Sequence, residues 1–423
     1  MSSYAMIVAL DRADAKVDVC ERRGDACAFE TVATRPEVLR AWWRGMRQAQ
    51  PAGVIAVVFE QPAENLVAFF AGEENVVVYA LNPAVVARYR ETFVTSRAKD
   101  DPLDCALMAD LIAHHAERFT PLVAGSPELR RLGELVQARR ALVNQRVDLT
   151  NQLQAVLKKT YPQALELAGE DLWRPLATAF LRRWPTFTLL AAARPDTLRR
   201  FYHAQGSRSE ARIEQRLAIA AAAAPLTTDQ SLIQPAGLLV TSLVKMIETV
   251  VAAIARFDHE IAAVFPHCPD AALFAALPGA GPAFAPRLLC AFGEDRDRFA
   301  TAGQIQRYSG IAPITRQSGR TRLVQRRRRC PKFLRQSFHE FAASSIVYSR
   351  WANAFYRAQR ARGKPHQTAV RALAYKWQRV LFTCWQTRTP YDESHHCRDL
   401  LHHGSPHHPD LAVETPKKSH SRA

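Results

Sequence analysis

At 423 residues, with 48% hydrophobic and 23% charged side chains, the chain has the composition of a globular protein and room for two or three domains. Its eight cysteines show no C-x-x-C pair and no regular spacing, which argues against zinc ribbons and against a secreted disulfide framework. No leader-like segment and no apolar run of about 18 residues is found, so we expect a cytoplasmic location and no membrane partner.

The net charge of +17 is the unusual feature of the composition, and it is unevenly spread along the chain. Residues 1–125 contain 13 Lys and Arg against 17 Asp and Glu, a balance of −4, which leaves +21 for residues 126–423. Clustered Lys and Arg bind polyanions by releasing the counterions of phosphate groups. A basic body behind an acidic first domain therefore predicts a polyanionic partner, against the alternative of a basic protein that has none.

The first domain, residues 1–125, is predicted to alternate strands and helices. The predicted elements, in chain order, are strands over 5–10, 16–23 and 27–34, a helix from about Pro36, a strand over 54–60, a helix over 62–72, a strand over 75–81, and helices from 83 and 101. Three antiparallel strands followed by αβαβα is the order of a ribonuclease-H-like α/β domain.

The second segment, residues 126–270, is predicted to contain two long coiled-coil helices with a helical insert over 160–235. Apolar residues recur at heptad spacing in both helices. They are Leu132, Leu135, Leu142, Leu149, Leu153 and Val156 in the first helix, and Val240, Leu243, Ile247, Val250, Ile254, Phe257, Ile261 and Val264 in the second. Arg139 and Arg146 interrupt the first seam. Packing within one chain and dimerisation through the seam are equally compatible with this pattern.

Residues 271–392 are predicted to form a basic, all-α domain with one long helix over 332–362. The stretch 276-ALPGAGPAFAPRLLCAFGE-294 reads as helix, tight turn, helix, and is compatible with a helix-hairpin-helix element. The backbone N–H groups near Gly279 and Gly281 could then hold a phosphate. The tail over 393–423 contains scattered Pro and Ser and several histidines, among them His395, His396, His402, His403, His407 and His408. Metal binding is one interpretation, and disorder is the expectation.

Acidic residues at strand and helix ends predict a metal site in the first domain. Asp11 ends the first strand, Glu60 ends the fourth, and Asp101 and Asp104 lie three apart at the start of a helix. Converging carboxylates repel one another unless divalent cations lie among them, and hard oxygen ligands suit Mg²⁺ or Mn²⁺. The alternative for Asp101 and Asp104 is helix capping, and Asp100 could take the place of either.

The stretch from Arg316 to Arg335 contains nine Lys or Arg and no acidic residue, and it surrounds Ser318. This serine could be a nucleophile, a phosphate ligand or only a turn residue. The residues predicted to bind nucleic acid, besides the two glycines, are Arg316, Arg320, Arg322, Arg326, Arg327, Arg328, Arg329, Lys332, Arg335 and, further along, Lys364.

Taken in order, these motifs resemble the DEDD-type insertion-sequence transposases, recombinases with a RuvC-like N-terminal domain and a serine-bearing C-terminal domain, related to pilin-gene-inverting recombinases. The resemblance spans about residues 4–392. Its motifs are the LD and FE strand ends, K-x-D-x-x-D at 99–104, LPGAGPAFAPRLLCAFGE, YSGIAPITRQSG, and RARGKPHQTAVRALA with a closing TPYD.

The resemblance implies that Asp11, Glu60, Asp101 and Asp104 bind Mg²⁺ and that Ser318 is the nucleophile, forming a phosphoserine link to DNA. It also implies element and target DNA as partners, together with the structured guide RNA that some members use. We expect a dimer or tetramer, because joining two duplexes requires four strand cuts. The alternatives are a metal-dependent, Holliday-junction-resolvase-like nuclease with an idle serine, a non-catalytic scaffold, and a sugar-kinase-like ATPase, for which the first domain lacks a glycine-rich phosphate loop.

Overall fold

The computed structural model describes residues 4–60, 64–70, 72–93, 101–123, 125–319 and 321–403. Within it the chain divides into two compact units, Met1–Gly125 and Ser126–Ala423. Each unit has its own hydrophobic core.

The first unit is a mixed α/β structure built on a five-stranded sheet. Its elements are β1 (Met6–Arg12), β2 (Lys16–Arg23), β3 (Ala26–Ala33), α1 (Pro36–Ala49), β4 (Ile55–Glu60), α2 (Glu64–Phe70), β5 (Val76–Leu81), α3 (Pro83–Phe93) and α4 (Asp101–His115). The strand order is β3-β2-β1-β4-β5, with β1, β4 and β5 parallel and the first three strands antiparallel. The predicted elements are confirmed to within two residues, and the strand order is consistent with the ribonuclease-H-like class.

Apolar residues alternate along the central strands and bury both faces of the sheet. Met6, Val8 and Leu10 of β1 belong to a core with α1 and α2, while Ile7 and Ala9 belong to a second core with α3 and α4. A strand buried on both faces forms an almost continuous apolar run, which is why β1 and β4 could be recognised from sequence.

In the second unit, two long helices pack along each other: α5 (Pro127–Thr160) and α11 (Gln230–Val264). Their heptad positions contribute Leu149, Leu153 and Ile247 to one core, so the predicted seam is filled within the chain. The two arginines that interrupt the seam have partners: Arg139 forms an ion pair with Asp258 of α11, and Arg146 lies 4.2 Å from the centre of the Trp173 ring.

A helical insert connects the two long helices. It consists of α6 (Gln163–Ala168), α7 (Pro175–Arg183), α8 (Phe187–Ala191), α9 (Pro195–Ala204) and α10 (Glu210–Ala222). Phe180, Trp184, Phe201 and Tyr202 pack ring against ring in its core. This aromatic cluster fixes α7 against α9.

The rest of the second unit is helical around one β-hairpin. The elements are α12 (Ala271–Ala275), α13 (Gly281–Phe292), α14 (Ala302–Tyr308), β6 (Ile314–Ser318), β7 (Thr321–Gln325), α15 (Lys332–Tyr348), α16 (Arg350–Ala361), α17 (His366–Thr387) and α18 (Glu393–His402). Trp377 and Trp385 of α17 are fully buried in the core that joins these helices to the first turns of α5.

Three predictions for this region are wrong. The domain is not all-α, because β6 and β7 form an antiparallel hairpin. The helix predicted over 332–362 is two helices, because Ser349 leaves the helical conformation and its hydroxyl caps α16 by accepting from the Ala352 N–H.

The third wrong prediction is disorder over residues 393–402. Residues 393–402 form α18, which is attached to α16 through the Glu393 carboxylate. That carboxylate accepts hydrogen bonds from the Ser349 hydroxyl at 3.0 Å and from the Arg350 N–H at 2.8 Å. Four of the predicted histidines lie in or beside α18, and within the described residues they form no metal-binding group; His407 and His408 lie outside those residues.

One helical stretch, Gln230–His267, is long and apolar enough to cross a membrane. It corresponds to α11 and the turn that follows it. Val240, Val244 and Ile247 of this helix are buried in the core of the unit, and a single helix of this kind does not indicate a membrane protein.

Candidate active site

Asp11 and Glu60 lie at the carboxyl ends of two neighbouring parallel strands. The β1–β4 pairing runs in register to Leu10 and Phe59, so Asp11 and Glu60 occupy the next matched positions. Strand alternation places both on the sheet face covered by α3 and α4, and both are half-buried. Ligands of open α/β sheets bind at this edge, so the structure brings these two predicted site residues together where the prediction required.

Asp104 lies on α4, the helix that packs over the same face of the sheet. Its side chain is buried, and its Oδ1 accepts from Arg90 of α3, with Nε at 2.6 Å and Nη2 at 2.5 Å. The next residue, Cys105, is bonded through its thiol to the Asp18 carbonyl at 3.2 Å. Burial raises the pKa of the Cys105 thiol to about 12. A hydrogen bond with the Asp11 backbone lowers this pKa, and the charge of Asp11 raises it.

The side chain of Asp101 and all of Asp100 lie outside the described residues. Among the described side chains, no group of three or more His, Cys, Asp or Glu is arranged to hold a metal ion. The donor chemistry nevertheless fits a divalent cation, since Asp11 and Glu60 offer hard oxygen ligands at a half-exposed edge. Asp104 could join them only by exchanging its bond to Arg90.

Ser318 lies at the end of β6, at the tip of the hairpin. It is paired with Thr321 of β7, is exposed to solvent, and precedes Gly319, whose φ of +55° begins the tight turn. Sequence reasoning left open whether this serine was a turn residue or a reagent, and an exposed hydroxyl at a hairpin tip is accessible to a large substrate. Arg320 and the side chains of Arg316 and Arg322 lie outside the described residues.

The other predicted basic residues lie after the hairpin and remain largely exposed. Arg326, Arg328, Arg329, Lys332 and Lys364 are exposed, and Arg327 and Arg335 are half-buried. The Arg335 Nη1 donates to the Arg327 carbonyl at 3.3 Å. Within the described part of the chain, none of the seven forms an ion pair with a carboxylate, so their charge remains available to an anion.

Sequence reasoning missed Arg371 of α17. Burial lowers the pKa of this guanidinium, and the charges of Arg326 and Arg335 lower it further. Arg371 therefore lies near Arg326 and Arg335, which come from another part of the sequence. Arg371 lies in the RARGKPHQTAVRALA motif, yet only the packing of α17 brings it close to the basic run.

The predicted phosphate cradle joins a one-turn helix, α12, to α13. Gly279 and Gly281 both have positive φ, +77° and +50°. A Cβ at Gly279 would lie 2.9 Å from the Tyr348 ring and 3.2 Å from the Ser344 backbone, whereas one at Gly281 would meet nothing within 4 Å. Gly279 is therefore explained by close packing on α15, and only Gly281 is exposed, at the start of α13.

Comparison with known proteins agrees with this combination of carboxylates and basic helices. A transposase model of the DEDD, IS110 type matches residues 8–162, and a model of the IS116/IS110/IS902 transposase family matches residues 271–357. The mini-circle putative transposase for IS117 of Streptomyces coelicolor is 30% identical over 77% of this chain and 79% of its own length. The chain belongs to the IS110 family of transposases.

Other similar proteins also come from insertion elements. A 42 kDa protein of the insertion element IS900 of Mycobacterium paratuberculosis is 28% identical over 69% of this chain and 73% of its own length. A 43.6 kDa protein of insertion element IS110 of Streptomyces coelicolor is 23% identical over 80% of this chain and 84% of its own length.

This IS110-family transposase is a DNA-transposing, and hence DNA-binding, enzyme, and membership of the DEDD type implies use of a divalent metal ion. The sugar-kinase-like alternative is set aside by this membership. The two model matches fall on the two parts of the chain that contain the predicted site residues: the first includes Asp11, Glu60 and Asp104, and the second includes Ser318.

Proposed function

We propose that this transposase cuts and rejoins DNA strands through a covalent intermediate on Ser318, assisted by metal-bound carboxylates of the first unit. The observation that carries the proposal is the position of Ser318. Its hydroxyl is exposed at a hairpin tip, in a segment whose neighbouring side chains are cationic.

The covalent step preserves the energy of the bond that is cut. The Ser318 Oγ loses its proton and bonds to phosphorus, the bond from phosphorus to a sugar oxygen breaks, and that oxygen takes up a proton. Attack by a sugar hydroxyl of another strand reverses the step, releases Ser318 and joins the new pair of strands. No ATP is required, because one phosphodiester replaces another.

The carboxylates of Asp11, Glu60, Asp101 and Asp104 would hold the metal ion, which we propose is Mg²⁺ or Mn²⁺. When bound, such an ion supplies positive charge that lowers the pKa of a coordinated oxygen and stabilises the phosphorane-like transition state. The roles of Asp11 and Glu60 are supported by their matched positions at the sheet edge. The role of Asp104 requires that it leave Arg90.

The basic side chains after the hairpin would bind the DNA backbone and offset charge that develops on the scissile phosphate. Arg335 and Arg371 are suited to this task, because both are partly buried and therefore held in place. The affinity for duplex DNA should fall as the salt concentration rises. In a plot of log association constant against log salt concentration, each neutralised phosphate should contribute a slope of about −0.9. We further propose a structured guide RNA as a second ligand, a cytoplasmic location, and assembly into a dimer or tetramer.

The alternative function is metal-dependent hydrolysis of a DNA junction, in which the carboxylates activate water and Ser318 is idle. It is favoured by one observation, that Asp11 and Glu60 lie at matched positions of two strands within the first unit. The two functions differ in whether the protein becomes linked to DNA.

The deciding experiment incubates the full chain with Mg²⁺ and end-labelled DNA carrying the element ends, and resolves protein-linked label on a denaturing gel. The wild type should form the adduct, and Ser318→Ala should form less than about one-hundredth as much, because removal of a nucleophile abolishes the covalent path. Thr321→Val is the matched control, since it removes a hydroxyl from the opposite strand of the same hairpin tip. An adduct that persists in Ser318→Ala would contradict the proposal, and strand cutting without any adduct would favour hydrolysis.

A further inference from the structure

An open cleft of about 630 Å³ lies between α7 and α9 in the helical insert. Its polar lining consists of three guanidinium groups, one hydroxyl and one amide: Arg182, Arg183, Arg200, Thr197 and Gln205. Within the described residues, none of the lining side chains is acidic. The insert lies between the two family matches, which end at residue 162 and resume at residue 271.

The partners of these arginines show how much of their charge is compensated. Arg182 lies 3.3 Å from Glu248, but its side chain remains 59% exposed. Arg183 stacks over the Trp184 ring at 4.8 Å, and the Arg200 Nε donates to the Asp196 carbonyl at 3.3 Å. Among the described ion pairs, neither Arg183 nor Arg200 has a carboxylate partner. Both are oriented by uncharged groups.

A neighbouring residue provides the contrast. Arg199, next to Arg200 on α9, is in ion pairs with Glu214 and Glu210 of α10. The described lining of the cleft contains no carboxylate, whereas Arg199, on the side of α9 that faces α10, has two carboxylate partners. The dipole of α7 accounts for two arginines in its last turn, but it does not account for Arg200 on the opposite wall.

The apolar base of the cleft is rigid. Phe201 is buried and makes edge-to-face contacts with Phe180 and Trp184, at ring separations of 6.0 and 5.0 Å. Ala179 and Ala204 are small enough to leave the space above Phe201 open. A cleft of this size, with a fixed apolar base and cationic walls, suits a flat or sugar-like group that carries phosphate.

We propose that the cleft binds the sugar–phosphate backbone of a nucleic acid, with Arg183 and Arg200 as phosphate ligands on opposite walls. The proposal extends the nucleic-acid surface beyond the residues after the hairpin to the insert. The proposal rests on the proposed function in one respect, that the anion in the cleft is a nucleic acid. It does not depend on the chemistry of Ser318. The shared chemistry is the phosphodiester, which could belong to DNA or to RNA.

The test compares two double variants of the full chain that lose the same charge. Arg183→Gln/Arg200→Gln changes the cleft, and Arg194→Gln/Arg208→Gln changes two exposed arginines of the same insert outside it. Fluorescence anisotropy measures the affinity of each protein for a labelled DNA duplex and for a labelled hairpin RNA, both of arbitrary sequence, over a series of salt concentrations. Circular dichroism melting verifies that both variants fold.

The cleft variant should bind at least one probe about tenfold or more weakly than the wild type, because charge-assisted hydrogen bonds are among the stronger polar contacts. For the cleft variant, the plot of log association constant against log salt concentration should be less steep than for the wild type. The slope should change by about 0.9 for each duplex phosphate that the cleft no longer neutralises, and by about 0.7 for each phosphate of a single strand. A weakening confined to one probe assigns the cleft to that nucleic acid. Equal weakening in the cleft and control variants, or unchanged affinity for both probes, would overturn the proposal. In the latter case the Ser318 adduct would still form, so the two proposals fail separately.

Discussion

Asp11 and Glu60 occupy matched positions one residue beyond Leu10 and Phe59, on strands that pair in parallel. Neighbouring strands lie about 4.8 Å apart, so two side chains at matched positions on the same face are in contact range. Two carboxylates at this separation repel one another in the absence of a cation. A divalent cation between them would offset this repulsion, which is the physical basis for proposing a metal site at this edge.

The first prediction concerns this pair. Asp11→Asn or Glu60→Gln should lower the affinity for Mg²⁺ or Mn²⁺ by about 100-fold or more, since even outer partners of metal ligands contribute about 10–100-fold. The rate of DNA strand transfer should fall by a similar factor. Metal binding can be followed by calorimetry, and transfer on labelled DNA.

Both variants should remain folded, so that the two properties that change are metal affinity and strand transfer; thermal melting verifies the fold. Asp14→Asn is the matched control: it removes an exposed carboxylate from the loop after β1 and should change neither property. Full activity of either site variant with Mg²⁺ would show that the carboxylates have been misassigned.

The second prediction concerns Arg90, whose guanidinium is the partner of the buried Asp104 carboxylate. Arg90→Ala should destabilise the metal-free protein by about 3–5 kcal/mol, the usual consequence of leaving one charge of a buried pair alone. Added Mg²⁺ should restore part of this stability, about 2.7 kcal/mol at a hundredfold excess over the dissociation constant. Chemical denaturation with and without Mg²⁺ measures both quantities.

Arg88→Ala provides the comparison, because Arg88 is exposed on the same helix. It should change stability by less than about 0.5 kcal/mol. If Mg²⁺ stabilised the Arg90 variant no more than it stabilises the Arg88 variant, Asp104 would not be a metal ligand.

The strands, the helices of the first unit and the positions of Asp11 and Glu60 could be predicted from sequence, because buried strands give apolar runs and their ends are marked by the first polar residue. The Arg90–Asp104 pair could not, since it depends on how α3 docks against α4 and no local pattern records that interaction. The heptad seam was visible, but the partners of Arg139 and Arg146 depend on the tertiary structure.

The second unit shows why a local pattern can mislead. The segment 314–325 is too rich in arginine to show the apolar alternation of a strand, and it forms a hairpin in which Leu323 and Val324 remain exposed. The break at Ser349 and the helix from Glu393 share one cause: the Glu393 carboxylate meets the first turn of α16. That interaction spans more than forty residues of sequence, beyond the reach of capping rules that compare near neighbours.

The third prediction separates the two glycines of the turn before α13. Gly279→Ala combines a positive φ with a Cβ that lies too close to Tyr348 and to the Ser344 backbone, so it should destabilise the second unit by about 3 kcal/mol. In Gly281→Ala the new Cβ would have no atom within 4 Å, so only the φ of +50° is unfavourable. This variant should lower the free energy of unfolding by about 1 kcal/mol. Thermal melts of the two variants give the comparison, and equal destabilisation would show that the packing on α15 is not what requires Gly279.

The last prediction concerns assembly. The two units contain different parts of the proposed chemistry, the carboxylates in residues 1–125 and Ser318 in residues 126–423. Because joining two duplexes requires four cuts, we expect a dimer or tetramer, whose formation can be measured by light scattering at several concentrations.

Asp11→Ala and Ser318→Ala are each expected to be inactive in strand transfer. If the proposed oligomer combines the carboxylates of one copy with the serine of another, an equal mixture should recover about one quarter of the wild-type activity, the share of active sites that receive two intact parts when subunits assort at random. Each variant mixed with itself at the same total concentration is the control. An assembled but wholly inactive mixture would show that each copy supplies its own serine and carboxylates, and a protein that stays monomeric on DNA would rule out the proposed assembly.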